Sequence, residues 1–229
     1  VQPIRKLADN AVIEIAFAGE TIALDGRGVA FLPAQGALIV ADLHLEKGSR
    51  FAAMRRPVPT LDTHDTLTRL RVCVGDWRPH TVICLGDSFH DARAGLRLAP
   101  EDRKALDDLC GLAGRWIWLS GNHDPRPPEG LRGEALDSLS IGALRLTHIP
   151  TPGTEPQIAG HMHPKTHVSA ARRKISGPCF VRGLRLLILP AFGAYTGGLS
   201  CKSPAMAAFF PDETPLCYMM FQEKLFQIM

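Results

Sequence analysis

Five short polar groups in this chain have the residue types of a metal-assisted active site. They are Asp42 and His44 in ADLHLE, Asp87 in LGDSFHD, Asn122 and His123 in SGNHD, His148 after ALRLT, and His161 and His163 in AGHMH. In extended backbone, residues two apart point to the same side. Asp42 and His44 can then grip one ion with a carboxylate and an imidazole, and His161 and His163 repeat the device with two imidazoles. Asp87 has two oxygens and can bridge two cations. Asn122 offers a neutral amide oxygen. A mixed oxygen and nitrogen donor set without thiolate suits Mn, Fe, Zn or Ni, and suits Ca or a thiolate zinc site poorly. Gly86, Gly121 and Gly160 each stand just ahead of a group, where glycine permits a sharp turn and a close approach of backbone to the ions.

Each group follows an apolar run, and these runs must do the positioning. ALIVA, TVICLG, RWIWLSG, ALRLT and QIAG read as buried strands. In open α/β sheets ligands bind beyond the carboxyl ends of strands, so groups far apart in sequence can converge there. AVIEIAF, TIAL and GVAFLP are further strands near the start, and LRLLILPAFG is one near the end. Residues 60–73 carry Leu61, Leu67 and Leu70 near helical spacing, continued by Val74. EDRKALDDLCGLAG predicts a second helix, with Pro100 before it, acids in its first turn and glycines at its end. The alternation predicts an α/β protein with helices covering a sheet, and a second, more antiparallel portion built from both ends of the chain.

Composition narrows the class. At 229 residues with 45% hydrophobic and 21% charged side chains, the chain has ordinary globular usage. No repeat or linker divides it, so residues 1–229 read as a single domain. A net charge of +3 predicts no nucleic-acid partner by itself. The six cysteines include no CxxC pair, which points to reduced thiols in the cytoplasm. VQPIRKLADN lacks an apolar signal region, and the uncharged stretch from Leu186 to Cys201 is too short for a membrane span and contains Pro190.

The ordered set DLH, GD, GNHD, a lone His and GHMH resembles the calcineurin-like metallophosphoesterase superfamily. ADLHLEKGSRF, LGDSFHD, PCF at 178–180 and LILPAFGAYTGGL extend the likeness to the bacterial ligase-associated DNA-damage-response endonucleases, the PdeM group. The resemblance implies a two-sheet β-sandwich flanked by helices, a four-layer αββα arrangement, with two divalent ions at the strand ends. Manganese is the favoured ion, with Fe, Zn or Ni as alternatives. It implies that Asp42, His44 and His163 hold the first ion, that Asn122, His148 and His161 hold the second, and that Asp87 bridges them. His123 then faces the scissile phosphate without binding metal, oriented by Asp124 or His90. The implied reaction is in-line attack of a metal-bridging hydroxide on a phosphodiester. DNA is the implied substrate, DNA ligase or helicase repair proteins the implied partners, and no membrane is involved.

The chain departs from the Ser/Thr phosphatases of the superfamily. His90 and Asp91 stand where those enzymes carry Asp and the phosphate-gripping Arg of GDxxDRG. Lys47, Arg50 and Arg126 are the candidates to take over that contact, and Glu46 is larger than expected for its loop. Hydrolysis of a small nucleotide or phosphomonoester is the rival enzymatic reading, and a non-catalytic protein-binding scaffold the rival from another class. His64, His80 and His167 lie in no group and read as solvated or locally bonded. Arg55–Arg56 and Arg172–Arg173–Lys174 read as solvated clusters, with a rail for nucleic-acid phosphates as the alternative. The Met- and Phe-rich tail reads as a core strand, with an oligomer contact as the alternative.

Overall fold

A computed structural model describes residues 11–228 apart from 57, 60, 152, 154, 171 and 172. The start of the chain, Thr60 and Arg172 therefore lie outside the described residues.

The first sheet contains β1 (Val12–Phe17), β2 (Glu20–Asp25), β3 (Ala30–Leu32), β4 (Ala37–Val40), β5 (Thr81–Cys84), β6 (Arg115–Leu119) and β7 (Glu134–Leu136), hydrogen-bonded in that order. Pairing is antiparallel from β1 to β4 and parallel from β4 to β7. The second sheet is drawn from β8 (Leu139–Ile141), β9 (Leu144–Thr147), β10 (Gln157–Ala159), β11 (Lys165–Ala170), β12 (Arg173–Arg182), β13 (Leu186–Ile188), β14 (Leu216–Phe221) and β15 (Lys224–Ile228). Its order is β15-β14-β12-β13-β10-β9-β8, with β11 paired to β12. The trio β9, β10 and β13 is parallel.

The two sheets pack face to face. Ala37, Ile39 and Ala41 point into the core between them, against Leu146, Ile158, Leu187 and Phe180, while Leu38 and Val40 point to the helical side. Strand alternation explains how one fully buried run serves both faces. Helices α2 (Asp62–Trp77) and α3 (Pro100–Cys110) cover that outer face through Leu67, Leu70, Val74, Leu106 and Leu109. Asp62 and Asp65 occupy the first turn of α2 and Pro100 opens α3, both suited to helix N-termini. Among the described residues, the outer face of the second sheet carries β11 and the one-turn α4 (Pro204–Ala207), which packs Met206 on Cys179, Val181 and Met219. The fold is thus the expected two-sheet sandwich, with its fourth layer reduced to a single helical turn.

One expectation is corrected. The strands at the start of the chain join the same sheet as β4–β6, because hairpin turns at Gly19 and Gly28 return each strand beside the last. The second sheet is therefore built from residues after 138 and not from both ends. A short helix, α1 (Lys47–Ala53), also forms in a segment that lacks apolar helical spacing. It is held by tertiary contacts: the buried Asp62 carboxylate accepts the Gly48 N–H at 2.9 Å. The tail is core, as expected, with Cys217, Tyr218, Met219 and Leu225 buried.

Candidate metal centre

Strands β4, β5, β6, β9 and β10 all deliver their carboxyl ends to one edge of the sandwich. The loops after them continue to bond each other: His44 N–H reaches the Asp87 carbonyl at 2.9 Å, and Gly160 N–H reaches the His148 carbonyl at 3.1 Å. Phe192 and Gly193, after β13, donate to the Ala41 and Asp42 carbonyls at 2.9 and 3.1 Å. The edge is therefore stitched across both sheets.

The backbone at the ligand-bearing positions is not extended, which corrects the same-side argument. Asp42, His44, Asp87, His161 and His163 all have positive φ, between 43° and 67°. Non-glycine residues seldom adopt this region, and such strain gathers at functional sites. The pairs converge because the chain coils left-handed at each of them, not because a strand alternates. Gly86 and Gly160 meet the expected need for close approach. A Cβ on Gly86 would stand 2.6 Å from the His148 ring, and one on Gly160 2.7 Å from Asp42 Oδ2.

Two ligand clusters result. Asp42, His44 and His163 form one, and Asp87, His148 and His161 the other, each with its donor atoms within 4.8 Å of one another. Asp42 Oδ1 lies 3.1 Å from His163 Nε2 and is buried without a hydrogen-bond partner. His44 Nε2 and His163 Nε2 are 3.2 Å apart. Asp87 Oδ2 sits 3.3 Å from His148 Nε2 and 4.0 Å from His44 Nε2, so one oxygen faces both clusters. The other oxygens of the two carboxylates are tied down. Asp42 Oδ2 accepts the His161 N–H and Asp87 Oδ1 the His123 N–H, each at 2.9 Å. Asn122 Oδ1 comes within 2.9 Å of His148 Nε2, which is also 3.2 Å from His161 Nδ1.

The donor chemistry fits a pair of divalent cations. His148 Nδ1 lies 2.8 Å from the Leu85 carbonyl, and a proton there donates to it. Nε2 of the neutral ring then presents a lone pair to Asp87 Oδ2, Asn122 Oδ1 and His161 Nδ1, a cage of acceptors that only a proton or a cation can fill. Burial pushes the His148 pKa down, but the Asp87 and Asp42 carboxylates outweigh it and hold it above its usual range. Burial and the His163 ring push His44 down to about 2, so it is neutral and ready to ligate. Burial opposes ionisation of Asp87, yet bonds from His148 and the His123 N–H take it down to about 2.

His123 stands at the mouth with its side chain 42% exposed, and its Nε2 is 3.9 Å from Asp87 Oδ2. Its Nδ1 lies 3.0 Å from the His90 carbonyl, and the His90 ring stacks on it with centroids 5.4 Å apart. Of the two residues considered for orienting it, His90 is the one in contact with the His123 ring. Asp124 instead accepts the Phe89 N–H at 2.8 Å, and burial raises its pKa to about 8. Asp91 is a clamp held by Arg97 at 2.8 Å, with Arg50 at 3.8 Å. Of the three cations considered for phosphate, Lys47 alone is half-buried toward the centre. Burial lowers its pKa while Asp62, Asp87 and Asp42 draw on its charge. Arg50 and Arg126 are exposed. Glu46, unexplained by sequence, is buried: its Oε1 accepts from Thr63 Oγ1, which in turn accepts the Glu46 N–H, both at 2.9 Å. It joins α1 to α2. His64 is exposed, 3.5 Å from Asp102. Arg55 and Arg56 are exposed after α1.

The calcineurin-like phosphoesterase family model matches residues 37–164, which run from β4 through the AGHMH loop. Among solved structures, the Pseudomonas putida nuclease MPE superposes with a TM-score of 0.74 at 27% identity, over 94% of this chain and 99% of that one. The E. coli phosphoesterase Yfce covers 81% of this chain and 88% of its own at 13% identity, with a TM-score of 0.37. No curated protein matches the chain.

Proposed function

The chain belongs to the calcineurin-like phosphoesterase family, a class of metal-dependent phosphoesterases, and we propose that within it this protein is a two-metal phosphodiesterase acting on DNA. The observation that carries the reading is the Asp87 carboxylate, whose Oδ2 faces His44 of one cluster and His148 of the other. Asp42, His44 and His163 would hold one ion, Asn122, His148 and His161 the other, with Asp87 contributing to both. When bound, such ions neutralise phosphate charge and supply a water of lowered pKa.

The chain's own groups do the rest. A proton on His123 Nδ1 is committed to the His90 carbonyl, which leaves Nε2 to carry a second proton toward the leaving oxygen. Lys47 meets a non-bridging phosphate oxygen as a point charge. The mixed oxygen and imidazole donors suit Mn, Fe, Zn or Ni, and manganese is the choice carried by the family resemblance. The DNA substrate is carried by likeness to a protein described as a nuclease. A repair role beside a DNA ligase or helicase follows from the PdeM-like sequence marks. The six cysteines are all unpaired, which supports a reducing, cytoplasmic setting, and no described helix is long and apolar enough to cross a membrane. One domain over residues 1–229 completes the reading.

The test is a chromogenic phosphodiester assayed beside the matching monoester, each with Mn²⁺ and with chelator. The expected result is diester turnover that chelator abolishes, followed by cleavage of single-stranded or nicked DNA. Preference for the monoester, or for a small nucleotide over DNA, would overturn the nuclease reading. No metal-dependent turnover of any ester would leave the scaffold.

A further inference from the structure

Away from the Asp/His centre, three cysteines from distant parts of the chain meet. Cys179 lies on β12, Cys217 on β14 and Cys201 in the segment before α4, and their sulfurs are within 4.8 Å of one another. Cys179 pairs with Met219 and Val181 with Cys217, so the two strand cysteines are diagonal neighbours on the outer face of the second sheet. No disulfide joins them.

The surroundings suit a bound cation. A zinc–sulfur bond of about 2.3 Å in tetrahedral geometry sets sulfurs about 3.8 Å apart, so the trio needs little movement to enclose one ion. Cys179 and Cys217 are buried, while Cys201 opens on a cleft of about 400 Å³ that it shares with Thr166, Lys202, Glu213 and Cys217. The buried Thr166 hydroxyl adjoins the Cys201 sulfur. Lys202 supplies positive charge to the cleft. Three thiolates around a divalent ion leave one negative charge, which that ammonium offsets. Glu213 is already engaged, its Oε2 accepting the Leu184 N–H at 2.8 Å.

The trio is also wired to the Asp/His centre. Cys179 N–H donates to the Pro164 carbonyl at 2.9 Å and Cys201 N–H to the Lys165 carbonyl at 2.8 Å. Leu199 N–H reaches the Met162 carbonyl at 3.3 Å. These are the residues around and just beyond His161 and His163.

We propose that Cys179, Cys201 and Cys217 form a second, thiolate metal site that takes one thiophilic d¹⁰ cation, Zn²⁺ in kind, and braces the loop bearing His161 and His163. Binding replaces the thiol protons, which pass to solvent. The site is structural, because the trio stands on the outer face of the sheet while the phosphoesterase groups gather at the strand ends.

Cobalt substitution tests it without reference to activity. Titrating the chelator-treated, reduced full chain with Co²⁺ should give a sulfur-to-cobalt charge-transfer band in the near ultraviolet that Zn²⁺ displaces. The Asp/His centre has no sulfur and adds nothing to that band. Cys201→Ser should abolish it, and Cys110→Ser, elsewhere in the core, should keep it. Zn²⁺ should also slow amide hydrogen exchange over residues 162–165 in the parent more than in Cys201→Ser. On the unaltered chain, Zn²⁺ should suppress alkylation of Cys201, which keeps the test decisive if the variant fails to fold. Absence of the band, its survival in Cys201→Ser, or unchanged alkylation of Cys201 would overturn the site. So would loss of two of the six titratable thiols in the untreated protein, which would mark a disulfide instead. Equal exchange in parent and variant would overturn the bracing.

Discussion

His123→Ala separates proton transfer from metal holding. The ring belongs to neither ligand cluster. The one bond from this residue to the centre is its backbone N–H to Asp87 Oδ1 at 2.9 Å, which alanine keeps. The side chain makes a single bond, to the His90 carbonyl at 3.0 Å. Removing that bond and the ring stack on His90 at the half-open mouth costs about 1–3 kcal/mol of stability. In a chain of this size each kcal/mol moves Tm by about 2–4 °C, so the variant should stay folded and load both ions. Turnover of a substrate with a poor leaving group should fall by about 10²–10⁴, equivalent to about 2.7–5.4 kcal/mol of barrier. With a nitrophenolate leaving group, which departs without a proton, the deficit should shrink sharply. The assay measures kcat on a dinucleotide and on a bis-nitrophenyl diester, with metal content measured on the same samples. His90→Ala is the control. It keeps the carbonyl and loses ring contacts to His123, His44 and Phe51, of which the stack on His123 is worth about 0.5–1.5 kcal/mol, or about 2–10-fold. Parental turnover of the dinucleotide by a fully loaded His123→Ala, or loss of an ion from it, would refute the assignment.

Asp87→Asn keeps the shape and the His123 N–H bond but removes the charge that faces both clusters, so bound metal should drop by at least one equivalent and turnover should nearly vanish. Unchanged metal content would contradict the bridging role. Lys47→Met should lower kcat/KM on the diester by about 10- to 150-fold, the worth of a charge-assisted bond of about 1.5–3 kcal/mol, with both ions retained. An unaltered kcat/KM would move the phosphate contact elsewhere. Thr63→Val removes both hydrogen bonds that Thr63 makes with buried Glu46, one to its N–H and one to its carboxylate. That should cost about 2 kcal/mol or more and lower Tm by about 4–8 °C while leaving metal content alone, as calorimetry and metal analysis would show.

Much of the site was legible because its signal is local. An apolar run followed by Asp, Asn or His repeats at β4, β5, β6, β9 and β10, with a glycine just ahead of the polar group at β5, β6 and β10, and strand ends are where α/β sheets place ligands. Burial of the runs follows from the same periodicity, whereas the two-sheet sandwich was implied by the family resemblance. Helix α1 was not legible, since its residues carry no apolar stripe and Asp62 holds it from another helix. Nor was the placing of the first strands, because antiparallel and parallel partners look alike along one strand. Glu46 and His90 were misjudged or left open for a related reason: one is explained by Thr63 and the other by a backbone carbonyl and a ring face.

What sequence alone determined is the inventory: which donors exist, and that each follows a buried strand. What tertiary structure decided is every distance between them. The left-handed turns at Asp42, His44, Asp87, His161 and His163, the oxygen of Asp87 that looks both ways, and the meeting of Cys179, Cys201 and Cys217 all join segments far apart in the chain. The free energy that holds them comes from packing two sheets together, a term no local pattern encodes.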